Sequence, residues 1–406
     1  MVSEQPSRAS HILLLVAVAL VGLNLRPFIT SIGPLAADIH AGTGLDLKGI
    51  SLLTLVPMFL MGVLAFAGPF LQSRIGARRS TIASLAVLVV GSSLRLFSTH
   101  GWQLVGTAAL LGLGVAIIQA VFPGIIKKQF PGHVGLVMGL YSATLMGGGA
   151  LGAQVAPLVA AASDWHLGLA WLAIPAVLAL VLALYSLPHH AGARQSSAGT
   201  MALLGRPRVW LLMACFGLVN GGYSTVVAWL SPFYSEQGWT AAASGSLLAI
   251  MALCQALAAL IMPMLVRGRD LRPGLWLTLA LQAVGFAALA FSPESAPVLW
   301  VAVLGAGLGG CFSLSMIVAL DHLPDPNEAG ALSALMQGGG FLITALPPWI
   351  VAVLHETTGS FVAGWLLHLA CTVVVAVLYW RVTPASYATA MKPSTLHLHN
   401  KAIAKE

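Results

Sequence analysis

The sequence predicts an all-α membrane protein with twelve transmembrane helices in two pseudo-symmetric six-helix halves. Three observations carry that prediction: an apolar composition, a one-sided distribution of basic residues, and an internal repeat. Of 406 residues, 58% are hydrophobic and 8% charged, with a mean hydropathy of +0.91. A water-soluble chain carries about 25% charged residues, so soluble enzymes and nucleic-acid binders are excluded. A bilayer span takes about 20 apolar residues, and this chain holds enough for about a dozen. The net charge of +7 is then explained by Lys and Arg enrichment in cytoplasmic loops.

Apolar runs broken by Gly, Pro or charge place the spans at 11–39, 47–73, 80–99, 102–126, 132–161, 166–187, 208–234, 239–266, 274–292, 297–320, 328–354 and 360–382. The first run is too long for a secretory signal and is read as an uncleaved span. A polar stretch at 188–207 divides the chain into an N-terminal bundle (1–187), a cytoplasmic linker (188–207), a C-terminal bundle (208–382) and a solvated cytoplasmic tail (383–406). With both termini cytoplasmic, the 19 Lys and Arg all fall on the inner side except Lys48, which lies outside, and Arg26 and Arg95, which lie within spans. This asymmetry predicts a multi-pass inner-membrane protein with both ends inside. Arg95 is expected to snorkel to the outer interface.

The halves match at an offset of about 195: the GLG at 112–114 and at 307–309, Pro131 and Pro326, Gly135 and Gly330, and ISLL at 50–53 against GSLL at 245–248. Two parallel repeats predict a transporter with its site between them. The four cysteines fall singly inside apolar runs and are read as core residues. No metal-ligand cluster, nucleotide loop or intramembrane catalytic pair is visible, so neither an enzyme nor a cofactor is expected.

The loop after the second span, GPFLQSRIGARRS at 68–80, resembles the signature of the major facilitator superfamily through Arg74, Gly76, Arg78 and Arg79. Ser73 stands where that signature usually has an acidic residue, and the second-half equivalent, MLVRGRDLRPG at 264–274, is looser. Within the superfamily, GLNLRPFITSIGPL at 22–35 resembles the cyanate and nitroimidazole transporters, chiefly through Asn24-Leu25-Arg26-Pro27. The resemblance implies transport of a small anion or a small nitroaromatic compound. It also implies a cavity lined by the first, fourth, fifth, seventh, eighth, tenth and eleventh helices, and a basic 74–79 loop that latches the inward face.

Arg26 is the focus. It sits halfway along the first span with no acidic residue at its depth, where an Arg costs about 2.5–3.5 kcal/mol. Two readings stand. Arg26 either donates to oxygens of neighbouring helices and pins the packing, or it faces a water-filled cavity and binds an anion with its planar fork. Gly22, Arg26, Thr30 and Gly33 share one helical stripe. Candidate contacts from the implied cavity helices are Asn24, Thr30, Gln119, Tyr141, Asn220, Tyr223, Gln255, Ser313 and Gln337, each of which also suits interhelical hydrogen bonding. His368 is either a proton-coupling group or a buried neutral residue bonded to a neighbour. The leading expectation is a monomeric transporter, secondary active or facilitative, of a small anion, best cyanate, working by alternating access among membrane lipid and without nucleic acid. The alternatives are efflux of small neutral or aromatic drugs, and a receptor that binds without transport.

Overall fold

The computed structural model describes residues 8–45, 47–65, 74–187, 201–239, 241–266 and 268–392. Residues 66–73 with Ser73, most of the linker (188–200) and the chain end 393–406 lie outside the described residues. In the first half, α1 (Arg8–Leu23), α2 (Pro27–Thr30) and α3 (Ala36–Thr43) make a broken first span. They are followed by α4 (Leu47–Ala65), α5 (Ala77–Leu94), α6 (Gly101–Gln129), α7 (Val134–Ala162), and the pair α8 (Trp165–Ala170) and α9 (Ala173–Ser186). The second half runs α10 (Pro207–Glu236), α11 (Ala241–Leu265), α12 (Arg272–Phe291), α13 (Pro297–Asp321), the pair α14 (Pro326–Thr344) and α15 (Leu346–Thr358), and α16 (Val362–Tyr379), with a short α17 (Tyr387–Ala390) beyond. Among the described residues, 11 segments are long and apolar enough to cross a membrane, and α4 adds a shorter apolar stretch, Leu52–Leu64.

The repeat is legible in the packing. A Cβ on Gly112 would meet Pro57 of α4, and one on Gly114 would meet the Ser84 carbonyl of α5. In the second half Gly309 lies against the Gln255 carbonyl of α11, and Gly307 against the Thr278 carbonyl of α12. In both halves glycines let the fourth helix close on the second and third, but the positions matched at an offset of about 195 exchange partners. Gly112 meets the second helix of its half where Gly307 meets the third, and the contact equivalent to that of Gly112 is made by Gly305, against the Met251 carbonyl of α11.

The first span is not the continuous helix expected over 11–39. Pro27 has no N–H for the Leu23 carbonyl, and its ring crowds that carbonyl. α1 therefore stops at Leu23, and the Asn24 and Leu25 N–H groups turn back to Val21 and Gly22, each at 3.1 Å. Asn24 closes the break: its Nδ2 donates to the Leu20 carbonyl at 2.7 Å and the Pro175 carbonyl of α9 at 3.1 Å. α7 crosses so close here that a Cβ on Gly148 would strike the freed Leu23 carbonyl. Gly148→Ala is expected to cost about 1–3 kcal/mol through overpacking, measured as a drop in thermal-unfolding midpoint in detergent. Gly147→Ala, where a Cβ meets nothing within 4 Å, leaves the midpoint unchanged.

The two halves are joined at the end of the bundle that carries most of the basic side chains. There a Cβ on Gly330 would lie 2.9 Å from the Gly124 Cα, so α6 and α14 touch backbone to backbone. Lys127 of α6 donates across the seam to the Leu320 carbonyl and, at 2.6 Å, to the Leu323 carbonyl, capping the end of α13. Arg95 departs from expectation. It does not snorkel but is 1% exposed, with Nε 3.5 Å from the Thr107 hydroxyl of α6.

The tail expected to be solvated from 383 is ordered against the second half as far as Met391. Tyr387 and Met391 are buried, Arg208 donates to the Arg381 carbonyl at 2.9 Å and the Ser386 hydroxyl at 3.0 Å, and the Tyr387 ring stacks on His322 at 3.9 Å. Burial pushes the His322 imidazole down to about 4. An unfolded histidine titrates near 6.5, so between those values the unfolded chain holds a proton that the folded one lacks. Stability therefore falls as pH drops from about 6.5 to 4. The unfolding midpoint is expected to decline more steeply across that window in the natural chain than in His322→Phe, which keeps a ring against Tyr387 but does not titrate. Parallel declines contradict this.

Candidate functional site

Arg26 is the residue before Pro27, with φ −123° and ψ −22°, at the end of the broken segment. It is 7% exposed, and its guanidinium crosses the seam between the halves. Cζ lies over the Tyr223 ring of α10, 4.5 Å from its centroid, and 5.6 Å from the centroid of Phe312 on α13. Phe312 packs on Phe216 at 5.5 Å, and Phe216 on Phe341 at 5.7 Å, so an aromatic wall of the second half receives the charge of the first.

Among the described residues Arg26 has no carboxylate partner. The ion pairs among the described residues are Asp164–His166, Asp270–Arg272 and Glu236–His355, none of which includes it. Two cation–π contacts at up to about 2 kcal/mol each match the roughly 2.5–3.5 kcal/mol cost of an Arg at this depth. They leave the N–H edge unsatisfied: Nη1 is buried with no hydrogen-bond partner among the described residues. The carbonyl hydrogen bonds of a purely packing role are therefore not what holds Nη1 in place.

Two further sequence-predicted residues are in the same condition. The Gln119 amide of α6, at both its ends, and the Tyr141 hydroxyl of α7 are buried without partners among the described residues. Tyr141 stacks on Phe122, one turn beyond Gln119, at 5.6 Å. Gln337 of α14 ties the seam, its Nε2 donating to the Gln119 carbonyl at 3.2 Å. The seam thus holds one guanidinium edge beside an aromatic wall, and the half that supplies Arg26 also carries a phenol and an amide that are buried without partners among the described residues. Such a donor set suits a small anion with little room for water.

Four of the other expected contacts, Asn24, Thr30, Asn220 and Ser313, have their donors engaged elsewhere. Thr30 donates to the Gly149 carbonyl at 2.7 Å, Asn220 to the Phe216 carbonyl at 2.8 Å, and Ser313 to the Gly310 carbonyl at 3.1 Å. Asn24 is occupied at the break. Gln255 is buried on α11, where its carbonyl abuts Gly309. His368 Nε2 lies 2.8 Å from the Thr225 hydroxyl of α10.

Of the basic loop, Gly76 has φ +85° and starts α5, where glycine's freedom is required. Arg78 stays in its own half, donating to the Leu187 and Leu184 carbonyls at 2.9 and 2.7 Å. Arg74 and Arg79 are exposed at the same end. Lys127 crosses the seam at this end, although the sequence marks it only as a loop charge. Phe312 was also missed. Its neighbour Ser313 was chosen for its polarity, and nothing in an apolar run marks one Phe as a lid on a charge.

Comparison with known proteins places this geometry in context. The Major Facilitator Superfamily model matches residues 13–348. The cyanate transport protein CynX of Escherichia coli (strain K12) is 43% identical over 376 residues, covering 92% of this chain and 98% of that protein. The 2-nitroimidazole transporter of the same organism is 27% identical over 381 residues, covering 93% and 95%. Among solved structures, the proton:xylose symporter XylE superposes with a TM-score of 0.77 at 14% identity, covering 92% of this chain and 96% of that one. With twelve helices in two matching halves and a family match over most of its length, the chain belongs to the major facilitator superfamily.

Proposed function

We propose that this chain carries a small monovalent anion, cyanate foremost, across the inner membrane by alternating access. The observation that carries the reading is the buried, unpartnered Nη1 of Arg26 at the seam between the halves. A charged donor stripped of water and left unpaired costs about 1–3 kcal/mol or more, and an anion at that edge removes the cost. Tyr141 and Gln119, buried in the same half without partners among the described residues, are the neutral donors this reading assigns to the anion. The name of the 43% identical relative supports cyanate as the cargo.

With both termini cytoplasmic, as the basic-residue asymmetry supports, the end closed by Gly124, Gly330 and Lys127 faces the cytoplasm. The site is then reached from the outside, and transport requires the Lys127 contacts to break as the halves rock. Labelled cyanate uptake into proteoliposomes tests the reading. Saturable uptake above protein-free vesicles is expected, and its absence would sink cyanate as the substrate.

The Tyr223, Phe312, Phe216 and Phe341 wall, with the name of the 27% identical relative, favours a second reading: a planar nitroaromatic compound stacked on these rings. That reading has Arg26→Ala retaining transport of the aromatic compound, whereas the anion reading has it losing transport.

A further inference from the structure

Resting on the anion reading above, we infer that the site ranks anions by how weakly they hold water, and that Phe312 is a specificity-determining residue for that ranking. Among the described residues Arg26 is the cation at the site, and no second one is in contact with it. One positive charge leaves a divalent anion with net negative charge buried in apolar surroundings, which is strongly unfavourable. Monovalent anions are therefore the class admitted.

Among monovalent anions the environment discriminates further. The ring faces of Tyr223 and Phe312 lie against the guanidinium carbon at 4.5 and 5.6 Å, excluding water from those sides of the cation. Phe216 and Phe341 extend the apolar wall behind Phe312. Against that wall an entering anion finds the N–H donors of the Arg26 Nη1 edge, which has no hydrogen-bond partner among the described residues. Those few donors replace only a small part of a hydration shell, and burying charge without full hydrogen bonding is costly. The net gain is positive only where the shell was weak to begin with. The guanidinium is itself more weakly hydrated than an ammonium, so two poorly hydrated ions meet on a dry surface. Thiocyanate, cyanate and nitrate fall in the favoured class. Chloride is intermediate, and fluoride and sulfate are disfavoured.

Phe312 is the separable element because its ring touches the cation while it offers no hydrogen bond of its own. Phe312→Leu keeps most of the volume and removes the aromatic face. The test is competition by unlabelled sodium salts against labelled cyanate uptake in proteoliposomes, at constant ionic strength and low millimolar concentrations. In the natural chain, half-inhibitory concentrations are expected to rise from thiocyanate through nitrate and chloride to fluoride, spanning about 100-fold. In Phe312→Leu, whose fold is checked by thermal unfolding, the span is expected to shrink to about 10-fold or less. Phe312→Tyr restores the face and is expected to restore the span. Chloride or fluoride competing as well as thiocyanate overturns the inference while leaving the anion reading intact. So does an unchanged span in Phe312→Leu. A natural chain that takes up no cyanate overturns the anion reading, and this inference with it.

Discussion

Arg26→Ala is expected to lower kcat/KM for cyanate uptake by at least about 100-fold, because removing one partner of a buried charge pair costs about 2–5 kcal/mol. The loss comes from the site, since among the described residues the guanidinium makes no hydrogen bond or ion pair that holds helices together, and it lies against the Tyr223 and Phe312 rings. Thermal unfolding of the variant is therefore expected to stay near that of the natural chain or to rise, as a charge at mid-depth is removed. Arg26→Lys restores the charge but not the flat fork that stacks on a ring while offering an N–H edge, so an intermediate loss of about 10-fold is expected. Uptake assays on the three proteins, each matched for amount and fold, check both values. Full uptake in Arg26→Ala would make Arg26 a packing residue.

Lys127→Ala is expected to release the closed end. Its ammonium donates to the Leu320 and Leu323 carbonyls across the seam. A charged donor on helix-end carbonyls is worth about 1.5–3 kcal/mol, so the balance between closed and open shifts by about 10–100-fold. A cysteine placed at Ile126, which is buried beside the seam, reports this through its rate of labelling by an impermeant maleimide. The four native cysteines are first replaced. Labelling at least about 10-fold faster in Lys127→Ala is expected, and Gly330→Val, which wedges the contact with Gly124, is expected to do the same. An unchanged rate in both would mean that this end is held elsewhere.

Why the fold was legible and the site only partly so follows from the physics of each. A bilayer compels about 20 apolar residues per crossing and sorts Lys and Arg by side, so the spans and the repeat stand out in a single sequence. The break in the first span was encoded by Pro27, but a hydropathy run continues through a proline and hides it. Polar residues on helices are ambiguous for a different reason. Short side chains such as Ser313 and the amide of Asn220 fold back onto carbonyls three or four residues earlier, and sequence spacing does not separate that outcome from a free donor. Among the described residues the Gln119 and Tyr141 side chains have no such backbone bond and no partner. Long-range placement was out of reach altogether. Lys127 meets residues 193 and 196 positions away, and Phe312 covers a charge in the other half of the chain. The tail misled because Tyr387 and Met391 are isolated apolar residues in a polar stretch, and only their partners, His322 and Arg206, show why they bury.

The most direct measurement is saturation binding of labelled cyanate to the purified protein in detergent, with the natural chain beside Arg26→Ala and Arg26→Lys. Binding requires no knowledge of direction or energy coupling, so it isolates the claim that the anion sits at the Nη1 edge of Arg26. One saturable site in the natural chain is expected, weakened in Arg26→Lys and lost in Arg26→Ala while all three proteins unfold cooperatively. Equal affinity in the natural chain and Arg26→Ala would contradict it and place the anion elsewhere.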